Sequence, residues 1–201
     1  AMLSIKLKLY VLLIAVSLVL IALSLYADNQ IIQRYNADIK IKAQNELSSL
    51  GNQLTSNLYN NIHIAKGVPA LFSLAPKLSI EDYQRAVKHL FDGSNQLRNI
   101  AAAPDMILTY MYPMEGNEAA IGLDYRKVPA QFEAVDRARK LNSILVAGPL
   151  ELKQGGIGII ARYPLFVTNL NQEKEFWGII SAVIEAEQLY QVSGLLNPDL
   201  N

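Results

Sequence analysis

The chain has 201 residues, with 18 basic and 18 acidic side chains for a formal net charge of zero, and no cysteine. Neutrality without a basic stripe leaves no field to hold a phosphate backbone and argues against nucleic-acid partners, while the missing thiols remove thiolate catalysis, Cys-based zinc sites, iron–sulfur clusters and disulfides. Charged residues are 18% of the chain and hydrophobic ones 51%, an apolar bias against the roughly 25% charge of an average soluble domain.

The excess sits at the start. From Leu9 to Ala27 the sequence reads LYVLLIAVSLVLIALSLYA, with no formal charge and only Ser17 and Ser24 clearly polar. As a helix rising about 1.5 Å per residue it nearly matches a hydrocarbon core of roughly 30 Å, and it predicts a membrane span in contact with the lipid bilayer. A cleaved signal peptide is the competing reading, but the run exceeds the roughly 7–15 apolar residues of such a leader, and no small-x-small site follows. Lys6 and Lys8 precede the span and Asp28 is the first charge after it, which places the start in the cytoplasm and the remainder outside. Arg34, Lys40 and Lys42 pull against that orientation.

Beyond the span, Ile32, Tyr35, Ile39, Ala43, Leu47, Leu50, Leu54, Leu58 and Ile62 recur at spacings of three and four, with no proline and only Gly51 as interior glycine. That is one helical stripe of roughly 35 residues, about 50 Å long. Its C-terminal half either packs on its own domain or pairs with a second copy. Nearer the membrane no other segment is available to cover it, and a parallel homodimer through this stalk is expected.

Pro69 and Pro76 interrupt the helical pattern. Ser79-Ile80-Glu81-Asp82 then has the form of a capping box opening a helix over Tyr83 to Phe91, which Asp92-Gly93-Ser94 ends. From Leu97 the periodicity changes. Met106 to Pro113, Ile157 to Phe166 and Phe176 to Ile184 are rich in β-branched and aromatic residues and predict central strands. Between them Pro129 sits at a first helical position before AQFEAVDRARKL. Ile144 to Leu152, broken by Gly148-Pro149, leads through Lys153-Gln154-Gly155-Gly156 into the next strand as a hairpin, and Glu185 to Leu195 closes with a short helix. The order suits an α+β fold, an antiparallel sheet packed on the stalk helix.

The only histidines, His63 and His89, lie in no metal-ligand spacing, and no nucleophile-elbow or Walker-type sequence is present. Gly156-x-Gly158-x-x-Ala161 formally matches a dinucleotide fingerprint, but IIARYPLF follows where a helix must open, so it is read as a hairpin. No metal or cofactor is expected. Tyr110 and Tyr112 share one strand face, and Pro113 to Asn117 then bends the chain to bring Met114, Glu115, Asn117 and Glu118 beside them. Aromatic walls with a few polar groups suit a small-molecule pocket. Ordinary sheet core with surface acids is the alternative, and Glu115 with Glu118 leaves a paired-carboxylate hydrolase conceivable. Arg162, in an otherwise apolar strand, needs an acidic partner or an anionic ligand.

Taken in order, Leu97-Arg98-Asn99-Ile100-Ala101, YPMEGNEAAIGLDY (Tyr112 to Tyr125), Arg137-Ala138-Arg139, AGPLELKQGGIGIIARYPLF (Ala147 to Phe166) and WGIISAVIE (Trp177 to Glu185) resemble the bacterial CHASE domain. This is the extracytoplasmic sensor of membrane histidine kinases and cyclic-di-GMP enzymes. The resemblance implies a stalk helix carrying PAS-like subdomains, the first of them holding the ligand, between two membrane spans. The family includes plant cytokinin receptors, in which an acidic side chain grips a purine. By motif order that acid falls near Glu115 and a pocket-floor hydroxyl near Ala147-Gly148, where alanine removes a polar contact.

The chain is therefore expected to hold a cytoplasmic start and transmembrane helix (1–27), a stalk (28–66), a membrane-distal PAS-like subdomain (67–196) and the truncated start of a second subdomain (197–201). Its expected role is a non-catalytic, ligand-sensing input domain on the periplasmic side of a bacterial inner membrane. A membrane-anchored hydrolase and a purely structural dimerisation tether are the alternatives.

Overall fold

The computed structural model describes residues 2–92, 96–152, 155–168 and 172–198, the side chains of 2–9 and 11 excepted. Gly93-Ser94 and Lys153-Gln154, expected from the sequence as a helix stop and a hairpin loop, and the segment from 199 onward lie outside them. Backbone contacts divide the chain into two units, Ala1–Ser49 and Leu50–Asn201. Helix α1 (Met2–Ala65) forms the first and opens the second.

In the first unit α1 is long and apolar enough to cross a membrane, with a window of mean hydropathy 2.0 in which no side chain is buried. Its polar residue Ser17 donates to the Leu13 carbonyl at 2.9 Å, which satisfies the hydroxyl within the helix itself. Further along, Ile32, Tyr35, Ile39 and Leu47 are all more than half exposed.

The second unit is an α+β domain. After the last turns of α1 come α2 (Val68–Leu74), α3 (Ile80–Phe91), β1 (Leu97–Pro104), β2 (Tyr110–Tyr112), α4 (Pro129–Leu141), β3 (Leu145–Glu151), β4 (Ile157–Thr168), β5 (Lys174–Glu185) and α5 (Ala186–Val192). The strands form one antiparallel sheet in the order β2-β1-β5-β4-β3. Strand alternation divides its side chains between two buried faces. On one, Ile100, Ala161, Ile180, Ala182 and Ile184 meet Ile62 of α1, Val68 and Phe72 of α2, Tyr83 and Val87 of α3, and Leu189 of α5. On the other, Ala101, Met111 and Ile179 meet Val135 and Ala138 of α4 and the segment between β2 and α4. The C-terminal part of the apolar stripe is thus consumed here, with Leu54, Leu58 and Ile62 packing on the first core.

Caps and breakers explain most boundaries. Ser79 accepts from the Asp82 amide at 3.1 Å and opens α3, as its capping sequence predicts. Asn142, at φ +46°, closes α4 in the left-handed region. The helical pattern is interrupted as expected, with α1 ending at Ala65, and Pro69 stands in the first turn of α2, where its missing N–H costs nothing. One expectation needs correction: Met106 to Pro113 is not a central strand. Asp105 and Met106 take positive φ (46° and 64°) in a turn, Ile107 makes an isolated bridge to Asp124, and within the sheet Tyr110–Tyr112 pairs at the edge. The inner position belongs to β1, whose alanine-rich sequence carries little strand propensity.

Candidate functional site

The second sheet face is not packed solid. Between it, α4 and the segment after β2 lies a cavity of about 40 Å³. Leu108, Met111, Leu123, Leu152, Ile160 and Val183 give it apolar walls, and Asn99, Tyr125, Gln131 and Ser181 supply polar groups. The volume is well below the roughly 300–1,000 Å³ of a drug-sized site, so it admits only a few heavy atoms as it stands.

The segment from Pro113 to Tyr125 closes the cavity because its backbone is tied to the sheet edge. Gly122 donates to Leu108, Leu108 to Leu123 and Tyr125 to Met106, at 2.8–3.0 Å. Asn117, 3% exposed, locks the bend by donating from Nδ2 to the Pro113 and Glu115 carbonyls. That use of its amide nitrogen turns its Oδ1 towards β1, where it accepts from Asn99 Nδ2 at 2.8 Å. Asn99 Oδ1 is then left buried without a donor.

On β4, one register position across from Ser181, stands Arg162 at 1% exposure. Its Nη2 donates to Gln131 Oε1 on α4 at 3.0 Å, while Nε and Nη1 have no partner. No carboxylate among the described residues pairs with it. Burial lowers its pKa from the ordinary arginine value, and the nearby Tyr125 opposes that shift. Tyr125 is itself pushed up by burial, against a 3.4 Å contact with Ser181 and the Arg162 charge. Outside the cavity Arg98 pairs with Glu185 at 3.3 Å and donates to the Gly155 carbonyl at 2.7 Å, which joins β1, β5 and the β3–β4 hairpin.

The sequence-expected residues divide. Tyr110 and Tyr112 share a strand face as expected, but it is the helix-side face. Tyr110 stacks on Phe72 and Tyr83 with ring centroids 5.0 and 5.2 Å away and donates to the Leu78 carbonyl, and Tyr112 meets Phe91 at 5.4 Å. Met111 between them lines the cavity. Glu115 and Glu118 are exposed and do not line it, so no paired-carboxylate centre forms there. Met114 packs beside the cavity core, Asn117 organises its cover and Arg162 lies one hydrogen bond behind its Gln131 wall. Ala147 pairs with Ile160 in β3, half-buried beside α4, and Gly148 follows it, exposed, at a pairing irregularity. Asn99, Met111, Tyr125, Gln131 and Ser181 were missed. A signal existed for two of them: Asn99 and Ser181, like Arg162, are polar residues within apolar strands.

A sheet with helices over one face and a closing segment over a cavity on the other is the PAS-like fold of extracytoplasmic sensor domains. The chain belongs to the CHASE domain family, whose model matches residues 72–200. No curated protein matches the sequence. Among solved structures, an extracellular ligand-binding receptor from Desulfohalobium retbaense DSM5692 is 14% identical with a TM-score of 0.59, covering 74% of this chain and 27% of its own. The sensor domain of the V. cholerae histidine kinase DctB is 14% identical with a TM-score of 0.50, covering 74% of this chain and 58% of its own. The chain thus spans about a quarter and just over half of those two structures, and at this identity they bear on the fold alone.

Proposed function

We propose that this chain is the small-ligand-sensing input domain of a transmembrane signalling receptor, either a histidine kinase or a cyclic-di-GMP enzyme. It is non-catalytic. It is anchored in a bacterial inner membrane by the single span in α1 and faces the periplasm, and it works as a homodimer through the exposed part of the α1 stripe. A ligand settling in the sheet cavity would bias two arrangements of the helices packed around the sheet, and α1 would carry that bias towards the membrane. The observation that supports this reading is the cavity under the second sheet face, which has Asn99, Tyr125, Gln131 and Ser181 as polar groups in its lining, next to two polar groups left partly unmet, Asn99 Oδ1 and, behind Gln131, the buried Nε and Nη1 of Arg162. Folded domains rarely leave such groups unmet unless another molecule meets them.

The site residues proposed are Asn99, Met111, Tyr125, Gln131, Arg162 and Ser181, with Asn117 positioning the cover and Ala147 and Gly148 at the β3 edge. The test is a thermal-shift screen of small metabolites on the full chain in detergent. A true ligand raises the melting temperature of the wild type and fails to do so in Ala120→Leu, which fills the cavity from its cover. Hits that act equally on Ala120→Leu, or a broad library without a hit, count against the reading.

A further inference from the structure

We propose that the outer face of α4, with the apolar link that follows it, is a docking surface for a second copy of this chain, a contact besides the stalk in which the two α4 helices lie antiparallel. Val135 and Ala138 bury the inner side of α4, and Gln131 on that side walls the cavity. On the side away from the sheet, Pro129, Phe132, Glu133, Asp136, Arg137 and Lys140 recur at spacings of three and four and line an open groove of about 620 Å³. The C-terminal end of this face runs into exposed apolar surface. Leu141, Ile144 and Val146 are 57%, 39% and 42% exposed, the last of them on β3, the end strand of the sheet. A cleft between α4 and β3 that includes Glu133, Arg137 and Val146 joins the two regions. Single exposed apolar side chains are ordinary, but several together beside a groove mark a contact surface.

Charge order decides the occupant. Glu133 and Asp136 stand in the N-terminal part of the face, and Arg137 and Lys140 in the C-terminal part. The face is neutral in sum, so a strongly acidic or basic partner, or an anionic lipid surface, would be attracted by one half and repelled by the other. A second α4 laid parallel in register would set acid on acid. Laid antiparallel about a two-fold axis between Asp136 and Arg137, it sets Glu133 opposite the partner's Lys140, each acidic half against a basic half, and the two helix dipoles opposed. Within one chain Lys140 pairs with Asp136 at 2.6 Å, yet its side chain stays 74% exposed and open to a further carboxylate. Glu133 and Arg137 are exposed and make no ion pair among the described residues. Arg137 is also the member of Arg137-Ala138-Arg139 with no task inside the domain, since Ala138 is buried and Arg139 lies 5.0 Å over the Phe176 ring.

The experiment uses the cysteine-free full chain in membranes under mild oxidation, carried on two tags of different size. Glu133→Cys and Lys140→Cys are seven residues apart, about 10 Å along the helix, so in an antiparallel pair neither reaches its own counterpart while each reaches the other. Expressed together on the two tags, they should give about fivefold more mixed dimer than either gives alone, because a disulfide needs Cα atoms within about 7 Å. Asp136→Cys, beside the axis, should dimerise by itself. Glu187→Cys, exposed on α5 across the sheet, measures random collision and should match the low single yields. Arg137→Glu added to both members of the mixed pair should cut their yield about fivefold while leaving the melting temperature nearly unchanged, as for an exposed side chain without a partner in its own chain. High yield from Glu133→Cys or Lys140→Cys alone would mean parallel or random contact and overturn the proposal. A mixed yield no greater than that of Glu187→Cys, or one that Arg137→Glu does not move, overturns it as well. Either failure leaves the sensing role standing, since none of these side chains lines the cavity.

Discussion

Tyr83 and Tyr163 show what a buried hydroxyl contributes in this domain. Tyr83 is fully buried and donates to the Ile100 carbonyl of β1 at 2.9 Å, and Tyr163, 3% exposed, donates to the Ile62 carbonyl of α1. Each ties a helix to the sheet, or the sheet to a helix, through a backbone acceptor, and losing either hydroxyl by substitution with Phe should cost about 1 kcal/mol at neutral pH. Burial pushes the pKa of both well above the ordinary tyrosine value. An unfolded tyrosine ionises near pH 10, so the folded state holds protons that the unfolded state releases above that point. Their contribution is therefore fully present below about pH 10 and is lost as pH rises further. Melting temperatures should stay level in this respect from pH 7 to 9.5 and fall above pH 10, with a shallower fall in Tyr83→Phe. An identical alkaline slope in that variant would show that Tyr83 ionises freely. The same alternation that places these side chains explains one misreading. The pairing of Tyr110 with Tyr112 on one face is written in their spacing, but which face is not, because both faces of this sheet are covered. The bulkier aromatic side joins the helices, and the cavity falls to Met111.

At the level of elements, hydrophobic period and capping chemistry made α1, α3, α4, β4 and β5 legible, while β1 and α2 were not. LRNIAAAP holds Ile100 as its one β-branched residue, and its alanines succeed in β1 because β2 and β5 pair with both of its edges. Burial on both faces then favours small side chains over strand formers. The irregular β3 carries a testable consequence. Gly148 has φ +135°, and a Cβ there would stand 2.8 Å from the Gly158 carbonyl oxygen and 3.0 Å from Ile159 Cα, both backbone atoms that cannot turn aside. Gly148→Ala should cost more than about 1 kcal/mol and lower the melting temperature by at least a few degrees. Gly51, inside α1, has nothing within 4 Å of its virtual Cβ. Gly51→Ala should stabilise by about 0.5–1 kcal/mol through helix propensity. Opposite signs for the two substitutions in one set of melts check the assignment, and equal signs would refute it.

At the scale of the whole molecule, the chain's zero net charge supplies neither long-range repulsion nor steering between copies, so association must come from contact. The stripe is the surface we propose for that contact. Ile32, Tyr35, Ile39 and Leu47 are 57%, 66%, 51% and 70% exposed in one chain, aligned at helical spacing. A row of apolar side chains this long is costly in water unless a partner covers it, and a second α1 in parallel offers the same row in register. The absence of native cysteine makes the test clean, because a single introduced thiol can form a disulfide only with another copy. Tyr35→Cys and Ile39→Cys lie on the stripe. Arg34→Cys and Asn45→Cys lie about half a helical turn away from it. Under mild oxidation in membranes, the first two should form covalent dimers and the second two should stay largely monomeric, since a disulfide requires Cα atoms within about 7 Å. Equal yields on both faces would mean random collision, and no dimer at either stripe position would mean that some other surface covers these residues.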